Sequence, residues 1–178
     1  MMRVTITPQA LEKLRAALQH TPDREVGGVL VGQHLGDDLF AVLDLSVQTT
    51  EGTRDHFVRD PALHRPFLDA FFERTGRDYA TFNYLGEWHS HIHVAAVASG
   101  TDVSTMQALV ADPAVNAAMA VLVIARLGPL HRLEMSATVF RNGHHPHPVS
   151  LSVTDLGSAS SVPATPTTPS AQITRGNP

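Results

Sequence analysis

The chain has 178 residues, 43% of them hydrophobic and 17% charged, which suits one domain with a sizeable buried core. A net charge of −4, with few and scattered Lys and Arg, argues against a nucleic-acid footprint, and no apolar run approaches membrane-spanning length. Zero cysteines exclude a disulfide framework and any thiol nucleophile; with an N-terminus too short in apolar residues for a signal peptide, they lead us to expect a cytoplasmic protein.

Strand and helix signals alternate along the chain. Residues 3–6 read as a short strand. Thr7 then caps a helix with Pro8 at its first position, and Leu11, Leu14 and Leu18 form its buried stripe. Residues 26–31 make a β-branched, glycine-containing strand, and Gly36-Asp37-Asp38 turns the chain into a second strand over 39–47, a hairpin. Gly27, Gly28 and Gly32 lack the spacing of a phosphate loop, so their expected role is close backbone packing or bulging. A polar loop, 48–54, follows. Asp60-Pro61 starts a helical region whose apolar face is Leu63, Phe67, Leu68, Phe71 and Phe72. Pro66 is expected to break its first turn, so that the regular helix begins there and ends at Gly76. Phe67, Phe71 and Phe72 are assigned to the core.

Residues 79–91 read as a further strand and 102–111 as a helix. Residues 117–127 and 133–141 close the fold as two more strands. His144-His145-Pro146-His147 reads as a solvated, exposed tract. Past residue 152 the composition turns to Ser, Thr, Pro and Ala, so the domain is expected over 1–152 and a disordered tail over 153–178.

Chemistry concentrates in Gly86-Glu87-Trp88-His89-Ser90-His91, with Ser99 and Asp102 following. Side chains two apart on a strand share a face, so His89 and His91 can converge on one ion while Trp88 and Ser90 point away. Asp102 would arrive from the next element as a third, oxygen ligand. Two His and one carboxylate leave a fourth tetrahedral position open, the pattern of a catalytic rather than a structural zinc site. Ser99-x-x-Asp102 also reads as a capping box, and a helix start there would place Asp102 beside the strand end. His93 is two positions further on, where strand geometry no longer directs it. Ser99 is the candidate hydroxyl for stabilising an oxyanion. Glu87 shares the ligand face, where it could orient a histidine from behind or face solvent. Either Glu25 or Glu87 is available as a general base on residue type alone.

Glu-Trp-His-Ser-His with the spaced Ser and Asp resembles the signature of the JAMM (MPN-plus, JAB) zinc metalloproteases, in their compact prokaryotic form. The resemblance spans residues 1 to about 150. The family's upstream glutamate, at the start of an apolar glycine-rich strand, falls on Glu25 of Arg24-Glu25-Val26-Gly27-Gly28. The sequence departs from the family where proline usually follows the second His and precedes the Ser: here stand Ile92 and Ala98.

The resemblance implies an α/β fold, a single-domain three-layer α-β-α arrangement of cytidine-deaminase-like type with a mixed, mostly antiparallel sheet flanked by helices. It implies one Zn2+ per chain on His89, His91 and Asp102, with Glu25 rather than Glu87 as general base. It also implies cleavage of an isopeptide or peptide bond after a ubiquitin-like C-terminus, held by strand addition beside the metal-bearing strand. Activating and conjugating enzymes would be associated with that substrate, and neither nucleic acid nor membrane would be a partner. A non-catalytic MPN scaffold and a RadC-like nucleic-acid-associated protein are the alternatives; the first usually lacks ligands that this chain keeps, and the acidic balance opposes the second.

Overall fold

A computed structural model describes residues 2–153. Strand β1 (Arg3–Ile6) leads into helix α1 (Pro8–His20), then β2 (Gly27–Gly36) and β3 (Leu39–Leu45). Helix α2 (Pro61–Arg74) precedes β4 (Phe82–Ser90), and helix α3 (Gly100–Ala111) precedes β5 (Ala120–Leu127), β6 (Leu133–Phe140) and β7 (His147–Val153).

Local chemistry sets the helix starts. Thr7 Oγ1 accepts from the Ala10 N–H at 3.3 Å, and Pro8 occupies the first helical position, where its missing N–H costs nothing. Asp60 does the same for α2, accepting from the Ala62 N–H at 2.9 Å. That cap starts α2 at Pro61, as the Asp60-Pro61 signal implies, and the helix is regular from there rather than only from Pro66. Pro66 lies inside the helix, removing one backbone bond without interrupting it. Of the α2 side chains assigned to the core, Phe71 is buried, while Phe67 and Phe72 are half-buried; Leu63, read on the same apolar face, is exposed.

The sheet is mixed, but it is not an open layer between helices. It closes in the order β1-β3-β2-β4-β5-β6-β7, with β1 lying parallel to β3 on one side and parallel to β7 on the other. The expected three-layer arrangement fails because β7, a segment given no strand in the sequence reading, fills the open edge. It pairs with β6 through Ala137–Val149 and with β1 through Ile6–Val153. Unpaired strand edges leave backbone groups unsatisfied, and closure removes them. Val153 is therefore a strand residue; the rest of the expected tail lies outside the described residues.

Alternation along β5 builds two cores. Val121, Val123 and Ala125 face the inside of the curled sheet, where Ala10, Leu14 and Leu18 of α1 pack with Val4, Leu30 and Trp88. Ala120, Leu122 and Ile124 face outward against Met106 and Val110 of α3. The outer cluster seats α3 against β5, the neighbour of the strand that carries His89.

Gly86 is the irregular point of β4. The register with β2 shifts there, its φ is +145°, and a Cβ would overlap the Val121 carbonyl oxygen. Only glycine meets both demands.

Candidate metal centre

His89 sits on β4 with Glu87, one residue from buried Trp88, on the face that looks outward. His91 is one residue past the end of β4, anchored by its N–H to the Ala125 carbonyl at 2.9 Å. Ser90, between them, turns the other way: its Oγ accepts from the Val26 N–H at 2.9 Å, and its own N–H donates to the Val26 carbonyl at 2.7 Å. Trp88 is fully buried and donates its Nε1–H to the Ser46 carbonyl at 2.8 Å. The alternation inferred from the sequence therefore holds.

Asp102 reaches the same point from α3. Ser99 caps that helix: the Asp102 N–H donates to Ser99 Oγ at 3.2 Å, and the Ser99 N–H donates to Asp102 Oδ2 at 2.7 Å. The capping box and the ligand reading are two roles of one carboxylate. Asp102 Oδ1 lies 3.2 Å from His89 Nε2, and Oδ2 lies 3.5 Å from His91 Nε2.

The three ligand atoms all fall within 4.8 Å of one another. Zinc bonds of about 2.0–2.1 Å at tetrahedral angles put ligand atoms about 3.3 Å apart, so the spacing fits one such ion. His91 Nδ1 lies 2.8 Å from the Ala95 carbonyl, which can only accept. The ring proton therefore sits on Nδ1, leaving the Nε2 lone pair for a metal. Burial pushes the Asp102 carboxyl up, but His89 and the Ser99 N–H outweigh it and hold it well below the usual range.

Glu25 lies within reach of the charges of His89 and Asp102. It is 5% exposed, two residues before β2, and its N–H donates to the Thr53 carbonyl at 2.7 Å. Burial raises its pKa to about 7; His89 pulls it down, while Asp102 and Asp55 push it up. Gly27 lets the neighbouring backbones close in, since a Cβ there would meet the Trp88 carbonyl oxygen at 2.5 Å and His89 Cβ at 2.8 Å. This is the close packing expected of the glycines.

Glu87 takes neither position considered for it. It is largely buried against Arg59, whose Nε lies 2.5 Å from Glu87 Oε1 without the alignment of a hydrogen bond, and it accepts from the Tyr84 hydroxyl at 3.4 Å. Burial raises its pKa, and Arg59 and His89 counter this only in part. Arg59 arrives from the segment just before α2, together with Phe57, whose ring stacks on His89 with centroids 6.1 Å apart. Neither residue carries a signal in the sequence beyond being an aromatic and a cation in a polar loop. A cleft of about 410 Å³ opens beside these groups, walled by Phe57, Arg59 and Glu87 on one side and Thr101 and Met106 of α3 on the other.

Strand addition beside β4 is ruled out over the ligand-bearing stretch. There β4 is hydrogen-bonded on one side to β2, through Gly27–His89, and on the other to β5, through Ser90–Ala125. The 92–98 loop, lacking the two prolines, is held through its carbonyls instead: Ala95 by His91 and Val94 by Arg126 Nη1 at 3.0 Å.

No helix among the described residues is long and apolar enough to cross a membrane. The model for prokaryotic homologues of the JAB domain matches residues 7–141. The solution structure of protein DSY2949 from Desulfitobacterium hafniense is similar, with a TM-score of 0.64 at 18% identity, covering 85% of this chain and 93% of that one. At that identity the likeness concerns the fold. No curated protein matches the sequence.

Proposed function

The chain belongs to the prokaryotic homologues of the JAB domain, and from that membership we propose that it is a zinc-dependent isopeptidase or peptidase acting after the C-terminus of a ubiquitin-like protein. The observation that carries the reading is the convergence of His89, His91 and Asp102 beside a buried glutamate, Glu25. Zinc held by those three residues would supply Lewis-acid chemistry, polarising a carbonyl and acidifying a water molecule.

The remaining work falls to side chains of the chain itself. Glu25 is the proton acceptor, passing the proton on to the leaving amine. A pKa near neutrality suits a group that must both take and return a proton, and a cation bound nearby favours its ionised form. Ser99 Oγ already accepts from the Asp102 N–H, so its hydroxyl proton is left to donate to the oxyanion. His91 is kept in its ligating tautomer by Ala95, and Asp102 is aimed by the helix cap.

The substrate tail lies in the cleft between Phe57 and α3 rather than along β4. A Gly-Gly terminus suits it, because only glycine lets a backbone pass so close to its walls. The proposal sets the protein in the cytoplasm, beside enzymes that activate and conjugate the ubiquitin-like protein.

Elemental analysis of untagged wild-type and His91→Ala protein tests the premise. About one zinc per wild-type chain is expected, with little in the variant. Cleavage of ubiquitin-like fusions by the wild type then tests the reaction. No stoichiometric metal after zinc has been offered overturns the reading and leaves a non-catalytic binding module.

A further inference from the structure

A chain of buried hydrogen bonds that the reaction does not use joins α2 to the 48–60 loop. The Val29 N–H donates to Ser46 Oγ at 2.9 Å, Ser46 Oγ lies 2.7 Å from His64 Nδ1, and His64 Nε2 lies 3.0 Å from Gln48 Oε1. Gln48 Oε1 also accepts from the Asp60 N–H at 2.9 Å, while Gln48 Nε2 donates to the carbonyls of Thr50 at 3.0 Å and Val58 at 2.8 Å. Those two carbonyls fix which end of the amide is oxygen. An amide oxygen only accepts, so His64 carries its proton on Nε2 and takes the Ser46 hydroxyl proton at Nδ1. Neutral His64 thus completes the network with every partner satisfied. Ser46 beside His64 has the look of a nucleophile and its base, but His64 is 1% exposed and Ser46 6%, so no substrate reaches them.

The loop fastened this way carries Phe57, stacked on His89, and Arg59, paired with Glu87. We propose that Ser46, His64 and Gln48 form a positioning clamp: they hold the 48–60 loop onto the sheet and so fix the Phe57–Arg59 wall of the cleft beside His89. The clamp stands on geometry alone; its effect on turnover rests on the hydrolase reading above.

Protonation would strip the Ser46 hydroxyl of its acceptor and bury a cation within the first turns of α2, where the helix dipole is unfavourable. Burial and then Arg59 lower the His64 pKa, and Asp60 opposes them. The clamp therefore persists at neutral pH and opens on acidification, below the ordinary histidine range.

Amide hydrogen exchange on the full chain tests this, comparing wild type with His64→Phe, a substitution that fills the space and makes none of the bonds. Exchange at the loop amides that are bonded, Thr53 to the His56 carbonyl and Asp60 to Gln48 Oε1, is expected to rise about tenfold or more while β4 and β5 stay protected. Zinc stoichiometry should be unchanged, and kcat/KM should fall about tenfold, mostly through KM, as the cleft wall loses its position. Loop amides exchanging at the wild-type rate in a folded variant overturn the clamp. Nitrogen NMR of the wild-type His64 ring decides the matter if the variant fails to fold. A neutral Nε2–H tautomer at pH 7, protonating as the loop amides open, supports the clamp; a charged ring or the Nδ1–H tautomer at that pH overturns it. Loop loosening in the variant with no cleavage by wild type supports the clamp and defeats only the hydrolase reading.

Discussion

The proton on Glu25 is contested by burial and charge, and the outcome is measurable. Its pKa is raised from 4.5 to about 7, so the folded chain favours the protonated carboxyl. The resulting penalty is absent below pH 4.5, grows as pH rises to 7 and is complete above that. In metal-free protein, Glu25→Gln should therefore raise the melting temperature at pH 8 and leave it unchanged at pH 4, with a gain of about 3 kcal/mol at most. Equal stabilisation at both pH values would show that the carboxyl is not shifted. With zinc bound, the same variant should keep its metal while kcat falls about 100-fold or more. His89→Ala and Asp102→Ala should lose metal and turnover together, as read by elemental analysis alongside the cleavage assay. If Glu25→Gln keeps full turnover, the base is another group; Glu87, locked to Arg59 and Tyr84, would first have to leave that pairing.

At the scale of elements, β4 depends on a single glycine. Gly86→Ala meets both a positive φ and the Val121 carbonyl, so we expect a loss of about 3 kcal/mol in urea unfolding, or insoluble protein. Pro66→Ala tests the opposite case. It restores a backbone donor inside α2, and a gain of about 1 kcal/mol is expected; a loss would mean that the ring is packed usefully. These two elements also mark what could be read from residues alone. The starts of α1 and α3 were legible because Thr7-Pro8 and Ser99-x-x-Asp102 are complete within a few positions. The convergence of the candidate ligands was legible for the same reason, with His89 and His91 two apart along one strand direction and Asp102 in the adjoining cap. The regular course of α2 through Pro66 was not legible, because a proline at that position reads as a break. Phe57 and Arg59 were illegible because their importance comes from where the loop lands. That landing depends on His64, Ser46 and Gln48, which come from separate segments.

For the whole molecule, the seam between β1 and β7 separates an open sheet from a closed one. Strand β7 was invisible in the sequence: Pro148 and the histidines before it oppose a strand, and its pairing partners lie far away in the chain. A chain ending at residue 146 should expose one edge of β1 and the facing edge of β6. Size-exclusion chromatography is expected to show it associating through them; a monodisperse monomer would show that the edges are protected otherwise.

Ile6 and Val153, partners in that seam, come from the first and last strands among the described residues. During synthesis the first strand leaves the ribosome early, finds β3 for one side, and must wait for the last strand to cover the other. The metal ligands and the strand that backs them are complete well before this, by the end of β5 at Leu127. Pairings over such long separations form slowly, so closure of the ring between β1 and β7 is expected to be a late step of folding.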